Sequence, residues 1–396
     1  MTDKNGTERE YLGTHPWINF SPDLRQLSPR AWMLLGEAQS KCQHIAGVPL
    51  KPALAKELHL VSLSRGALAT TAIEGNTLSE EDARKIAEGK FDAPPSREYL
   101  KREIENIIGA YNRIMQMTFS EGCCQLTPQL IMEFNKEILE GLPRDDRVEP
   151  GKIRTYSVGV GRYRAAPASD CAYLLERLCG WLEREIPREI IPGARTATAI
   201  IKAILAHVYL AWIHPFGDGN GRTARLVELM ILLAGGAPSP AALVLSNHYN
   251  ATRSEYYRIL DETSRSKKGD VTGFIEYAVQ GFVDHLQAQL DEIRLQQWMI
   301  SWETYVHEQF AGKDSPAASR QRQLLLTLSG AALNGVQKKD ISGLSPEMMR
   351  HYALKTSKTL TRDINALEKL GLMERTKQGY RAKMEVILAF LPRRVE

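Results

Sequence analysis

Apolar residues recur at helical spacing along most of this chain. After an irregular opening over residues 2–24, the pattern predicts helices over residues 28–46, 52–73, 97–116 and 127–140. A further helix is expected to open at Thr77-Leu78-Ser79-Glu80, where polar and acidic residues suit a first turn. Residues 150–167 break the pattern. Within them, residues 156–163 mix β-branched and aromatic residues with glycines and predict a short hairpin. Residues 196–213 are almost free of charge and rich in Ala, Ile, Leu and Val, the composition of a buried helix. That helix must stop at Pro215, because proline disfavours the helical conformation in the residue before it and has no N–H to give. A second apolar helix is predicted over residues 223–233, then a helix through residues 254–260 and one or two long helices over residues 270–309. The C-terminal end predicts three helices, over residues 321–328, 346–353 and 357–370, and then a hairpin over residues 371–375 and 378–381.

The segment between the two apolar helices, residues 214–225, reads His-Pro-Phe-Gly-Asp-Gly-Asn-Gly-Arg-Thr-Ala-Arg. It is a loop feeding a helix N-terminus. Gly217, Gly219 and Gly221 are expected to give the backbone positive φ and close approach to a ligand, with N–H groups at the positive end of the helix dipole. Arg222 and Arg225 fall on neighbouring faces of the first turn and suit different phosphates of one polyphosphate. Asp218 offers a hard oxygen of the kind Mg²⁺ takes beside a phosphate, and His214 a base titrating near neutrality. Each residue alone has an ordinary structural explanation. Together within twelve residues they point to phosphate chemistry.

This stretch resembles the Fic family motif His-x-Phe-x-Asp/Glu-Gly-Asn-Gly-Arg-x-x-Arg, with every specified position filled. The resemblance implies a mainly α fold: a Fic-type helical core with a small β-hairpin flap. It implies transfer of AMP from ATP to a Ser, Thr or Tyr hydroxyl of a target protein or of the chain itself. On that likeness His214 takes the hydroxyl proton, Asp218 holds Mg²⁺, and Gly219, Asn220, Gly221 and Arg222 bind phosphates. Arg225 grips the γ-phosphate and Phe216 anchors the loop. The family branch that phosphorylates proteins carries a lysine-containing loop, whereas this chain has Gly-Asn-Gly-Arg. Thr70-Thr71-Ala72-Ile73-Glu74-Gly75-Asn76 resembles a second family motif, Ser/Thr-x-x-x-Glu-Gly/Asn, which marks an inhibitory helix. Thr70, Glu74 and Gly75 would then be inhibitory residues, with Glu74 keeping Arg225 from the γ-phosphate. Gly151 and Arg154 match a Gly-x-x-Arg before the flap, which would pair with a target segment and place Val160 and Gly161 near the nucleotide. Tyr256 and Tyr257 match a pair lining the adenine pocket, with core packing as their other role. Ser264 stands where some relatives have Asn, which leaves base preference open.

Composition adds little to this: 396 residues predict two or three domains, and 43% hydrophobic with 25% charged is ordinary. The expected domains are residues 1–120 (helical, carrying the inhibitory helix), 121–310 (catalytic core) and 320–396, with residues 311–319 as linker. No apolar run approaches a membrane span, and residues 1–9 are polar, so the cytoplasm is the expected compartment and no membrane partner is expected. Cys42, Cys123, Cys124, Cys171 and Cys179 are odd in number without Cys-x-x-Cys spacing and are expected to be reduced. Charge is more informative. Residues 315–396 hold 15 Lys and Arg against 7 Asp and Glu, whereas the rest of the chain holds 36 against 40. Three helices followed by a hairpin resemble a winged helix, with residues 359–370 as its recognition helix. Lys355, Lys358, Arg362, Lys377 and Arg381 suit DNA phosphates, though such domains also dock proteins or make homodimers. Two further functions remain open: a hydrolase removing AMP, with Glu74 aligning water, and a DNA-binding regulator with a nucleotide-sensing core.

Overall fold

The computed structural model describes residues 8–119, 125–161, 163–187, 189–266, 269–330 and 334–388, together with the backbone of Ser120 and Ala331. Two expected features fall partly outside them: Cys123 and Cys124, and the turn residue Arg162. The chain forms two compact units, Met1–Leu290 and Asp291–Glu396. The expected division near residue 120 does not separate units, and the expected linker near residue 315 lies inside the second one.

In the first unit the main helices are α1 (Pro29–Gly47), α2 (Pro52–Ala72), α3 (Glu80–Ala87), α4 (Glu98–Ser120) and α5 (Pro128–Ile138). The hairpin β1 (Gly159–Val160) and β2 (Tyr163–Arg164) follows, antiparallel, with Val160 opposite Tyr163. After it come α6 (Cys171–Gly180), α7 (Arg195–Ile213), α8 (Asn220–Ala234), α9 (Val244–Ala251), α10 (Arg253–Arg265) and α11 (Thr272–Gln309), the last carrying the division between units. Local chemistry sets these ends. Ser28 accepts from the Ala31 N–H ahead of α1, and Ser79 with Asp82 makes a reciprocal capping box on α3.

Helix α7 is the axis of this unit. Ile200, Ile204, Leu205, Val208 and Ile213 are fully buried, and α1, α6 and α8 pack around the helix. Contrary to the sequence expectation, Arg195–Ile213 is long and apolar enough to cross a membrane, but 89% of it is buried inside the protein. Its hydrophobicity serves the core. Helix α8 is wrapped in turn by α7, α4, α5 and α2, so the loop between α7 and α8 is held between two buried cylinders. Cys42, Cys171 and Cys179 are buried and free.

The second unit has its own core, in which Trp302 and Val306 from the end of α11, and Phe310 just after it, join residues of α12 (Pro316–Ala331), α13 (Pro346–Tyr352) and α14 (Ser357–Lys369). Because these three residues precede residues 311–319 and already belong to the second core, that stretch is not an interdomain linker. Strands β3 (Met373–Thr376) and β4 (Gly379–Ala382) close the unit as an antiparallel wing, which Val336 joins through Tyr380. Three helices and a wing make the winged-helix order expected. Buried Asp363 ties α14 to Arg320 at 2.6 Å and to the Tyr352 hydroxyl at 2.9 Å. Lys355, Lys358, Arg362 and Lys377 are exposed. Arg381 is not free: Glu374 holds it at 2.5 Å and Glu385 at 2.7 Å.

Candidate active site

His214 ends α7 in the left-handed region, with φ of 50°. A non-glycine residue there costs about 1–2 kcal/mol. Arg154 supplies the restraint. Its Nε donates to the His214 carbonyl at 2.8 Å, Nη1 to Tyr156 at 2.7 Å and Nη2 to Ala166 at 2.5 Å, while its backbone N–H reaches the Pro215 carbonyl at 3.0 Å. The arginine before the hairpin is therefore a buried brace for the loop.

Of the three loop glycines only Gly219 has positive φ, +76°. The expectation for Gly217 and Gly221 is corrected: both are glycine because other groups come close. A Cβ at Gly217 would stand 2.2 Å from the Tyr156 hydroxyl, and one at Gly221 2.3 Å from Glu74 Oε1. Helix α8 also starts at Asn220, three residues earlier than the apolar pattern predicts. Asn220 closes the loop itself. Its Oδ1 accepts the Phe216 N–H at 2.9 Å and its Nδ2 donates to the Phe216 carbonyl at 2.9 Å, with the Phe216 ring buried beneath. Asn135, fully buried on α5, braces the other side by donating to the Asp218 carbonyl at 2.9 Å and accepting the Gly151 N–H at 3.0 Å. Gly219→Ala is expected to lower stability by about 2 kcal/mol or more, because left-handed strain adds to a Cβ 3.0 Å from Asn135. Thermal unfolding checks this, and an unchanged Tm would contradict it.

A cavity of about 670 Å³ opens over this loop, a volume typical of small-ligand sites. Gly217 to Gly221 form its floor with His214, Val160 and Gly161 lie on the hairpin side, and Tyr256, Tyr257 and Ser264 on the α10 side. The structure thus brings together residues spread from Glu74 to Ser264. Tyr256 is 3% exposed and Tyr257 38%, so the packed and the accessible member of the pair are distinguished. Tyr257 donates to the Ile73 carbonyl at 3.3 Å, and Ser264 to the Asp261 carbonyl at 2.7 Å.

Burial pushes the His214 imidazole down to about 4, with the Ala211 carbonyl pulling weakly the other way. This replaces the near-neutral titration expected from sequence. Nδ1 lies 3.3 Å from that carbonyl, which only accepts, so Nδ1 carries the proton and Nε2 is left as the base. A base neutral above about pH 4 places the acid limb of the kcat/KM profile near 4. A limb near 6.5 would contradict it.

The arginines are held by acids. Arg225 Nη2 meets Glu74 Oε1 at 2.6 Å, and Arg225 also donates to Thr70 Oγ1 at 2.6 Å and to the Thr70 carbonyl at 2.9 Å. Gly75 follows with φ of +110°, turning the chain out of α2. Burial raises the Glu74 carboxyl, but Arg225, helped by Arg222 and His214, outweighs it and holds the group below its ordinary range. Arg222 pairs with buried Glu103 and lies 3.3 Å from Asp218 Oδ1. Glu103 in turn accepts from Asn76 at 2.9 Å. Glu103 and Asn135 have no place in the sequence reading, and Asn76 enters it only as the last residue of the 70–76 stretch. Among the described residues lining the cavity, neither arginine appears.

Asp218 is the metal candidate. Its side chain is 48% exposed, and its contacts with Arg222 and the Gly219 N–H both use Oδ1. Among the described residues no cluster of three or more His, Cys, Asp or Glu exists. One accessible carboxylate beside an anion-binding loop fits Mg²⁺, which keeps waters and shares its coordination with substrate phosphates.

Residues 125–232 match the Fic/DOC family. This stretch is similar to a Fic domain. The chain is 31% identical over 231 residues to protein adenylyltransferase fic-1 of Caenorhabditis elegans, covering 57% of this chain and 42% of that protein. It is 33% identical over 214 residues to the protein of the same name from Caenorhabditis briggsae, covering 53% and 38%. The chain thus spans about two-fifths of the length of these relatives. Among solved structures, a Fic family protein from Desulfovibrio desulfuricans G20 aligns over 92% of this chain and 98% of its own at 21% identity, TM-score 0.53. Fic-1 of C. elegans, residues 134–508, aligns over 67% and 73% at 26% identity, TM-score 0.53. The first of these supports the fold alone, from the Fic core into the C-terminal unit.

Proposed function

We propose that this chain is a self-inhibited protein adenylyltransferase acting in the cytoplasm, which moves AMP from ATP to a Ser, Thr or Tyr hydroxyl of a target protein or of itself. The observation that carries the reading is the Glu74 to Arg225 pair at 2.6 Å, set at the edge of the cavity that contains His214. An anion-binding helix start whose arginine is occupied by an internal carboxylate is a phosphate site under restraint.

In the reaction, His214 Nε2 takes the proton as the hydroxyl oxygen attacks the α-phosphorus. The bond from that phosphorus to the bridging oxygen breaks, and pyrophosphate leaves. The loop N–H groups and Arg222 hold the phosphates, and Arg225 takes the γ-phosphate once free of Glu74. Mg²⁺, held through Asp218, would supply neutralisation of phosphate charge. The hairpin offers the outer edge of its short strands to an extended target segment. Intact-mass measurement after incubation with Mg²⁺ and ATP tests the reading on Glu74→Gly protein: a gain of one AMP supports it, whereas a gain of phosphate contradicts it.

The position of Glu74 favours a second activity. Its carboxylate lines the same cavity as His214 and in this reading would orient a water for removal of AMP. Release of AMP from modified protein by wild type but not by Glu74→Gln would support this; equal release by both would exclude it.

A further inference from the structure

Beneath the cavity lies a buried polar cluster that the transfer chemistry leaves unused. Glu228 stands on α8, three residues beyond Arg225, and His207 on α7; they are 2% and 0% exposed. His207 Nδ1 lies 3.0 Å from Glu228 Oε2, a contact in charge-pair range that falls outside hydrogen-bond geometry, and among the described residues neither atom has a hydrogen-bond partner. Tyr249 of α9 donates its O–H to Glu228 Oε1 at 2.9 Å. His207 Nε2 lies 2.9 Å from the Tyr256 hydroxyl. The Tyr249 ring stacks on that of Tyr256, with centroids 4.9 Å apart and planes at 28°. Both His207 and Tyr256 line the cavity.

These contacts are consistent with one arrangement of protons. A carboxylate only accepts, so Oε1 accepts from the Tyr249 O–H and the short contact at Oε2 calls for a proton on Nδ1. In the tautomer with its one ring proton on Nδ1, the His207 imidazole has a bare Nε2 and Tyr256 donates to it. The Tyr256 hydroxyl is therefore directed into the protein, and the ring is what remains for the cavity. One carboxylate controls both restraints on that ring: the hydroxyl through His207 and the stacked face through Tyr249.

Resting on the adenylyltransferase reading, we propose that Glu228 is a positioning residue for the nucleoside, fixing through His207 and Tyr249 the hydroxyl direction and ring plane of Tyr256, the buried wall of the base pocket. Glu228 thereby ties α8, which carries the phosphate-binding arginines, to the helix that receives the base. The two ends of the nucleotide are registered by one side chain.

Glu228→Gln tests this because it reverses the relay. With the carboxamide oxygen on Tyr249, its NH₂ faces His207 Nδ1. The imidazole must then carry its proton on Nε2, and Tyr256 loses its acceptor. Affinity for ATP with Mg²⁺ is measured by calorimetry on full-length His214→Ala protein, which blocks turnover. Glu228→Gln is expected to raise Kd about tenfold, and to add less than about twofold when Tyr256 is already Phe. An unchanged Kd, or the same factor in the Tyr256→Phe background, would overturn the inference while leaving the nucleotide reading standing. Failure of the His214→Ala parent to bind ATP would overturn that reading and this inference with it. A second readout needs no nucleotide and no altered chain: ¹⁵N NMR of wild-type His207 is expected to show Nδ1 protonated and Nε2 bare. A proton on Nε2 would overturn the relay even if Glu228→Gln failed to fold.

Discussion

Glu74→Gly is expected to raise incorporation of AMP by roughly 10- to 100-fold. Arg225 is 2% exposed, and the Glu74 carboxylate occupies its Nη2 at 2.6 Å. An incoming γ-phosphate must break that bond before it can be gripped. A hydrogen bond to a charged group is worth about 1.5–3 kcal/mol, and removing the competing partner returns that amount to the phosphate, which gives the fold-change. The variant does not set the arginine loose, because Thr70 holds Nε at 2.6 Å and Nη2 at 2.9 Å. Initial rates of label transfer at equal protein concentration check it. Equal rates for wild type and variant would mean that the pair is structural.

His214→Ala, introduced into the Glu74→Gly chain, is expected to lower the transfer rate by about 10²- to 10⁴-fold, the usual contribution of a positioned general base. Nε2 of this residue is the acceptor in the loop that is both buried enough to stay neutral and directed away from its own backbone partner. The bracing survives the change, since Arg154 Nε binds the residue-214 carbonyl rather than its side chain. The loss should therefore fall on kcat, with KM for ATP changing less than about threefold. Thermal unfolding controls for the left-handed strain an alanine suffers there. A fall in KM-dependent binding alone would assign His214 to substrate contact instead of proton transfer.

The motif loop was legible because its chemistry is local. A proline, a run of glycines, an acid and two arginines within twelve residues constrain one another, and the helices on either side follow from apolar spacing. Glu74 could be tied to Arg225 through the family resemblance, although 151 residues separate them. The rest of the bracing was not readable. Glu103 lies 119 residues from Arg222, and Asn135 83 residues from Asp218, and neither sits in a pattern that marks it. Gly217 and Gly221 were misjudged for the same reason: the groups that exclude a Cβ, Tyr156 and Glu74, arrive from elsewhere in the chain. Helix α8 starts early because its first residues, Asn220, Gly221 and Arg222, have no apolar side chain and so escape an apolar pattern. The C-terminal boundary lies earlier than the sequence pattern suggests because Trp302 and Val306 continue a helix whose periodicity does not change where their core does.

The most direct test of the account compares wild type, Glu74→Gly, and Glu74→Gly with His214→Ala, each given Mg²⁺ and α-labelled ATP, scoring label fixed on protein. The account predicts strong label in the Glu74→Gly chain and little in the other two. Label that persists when His214 is alanine, or that is absent from all three, would contradict it.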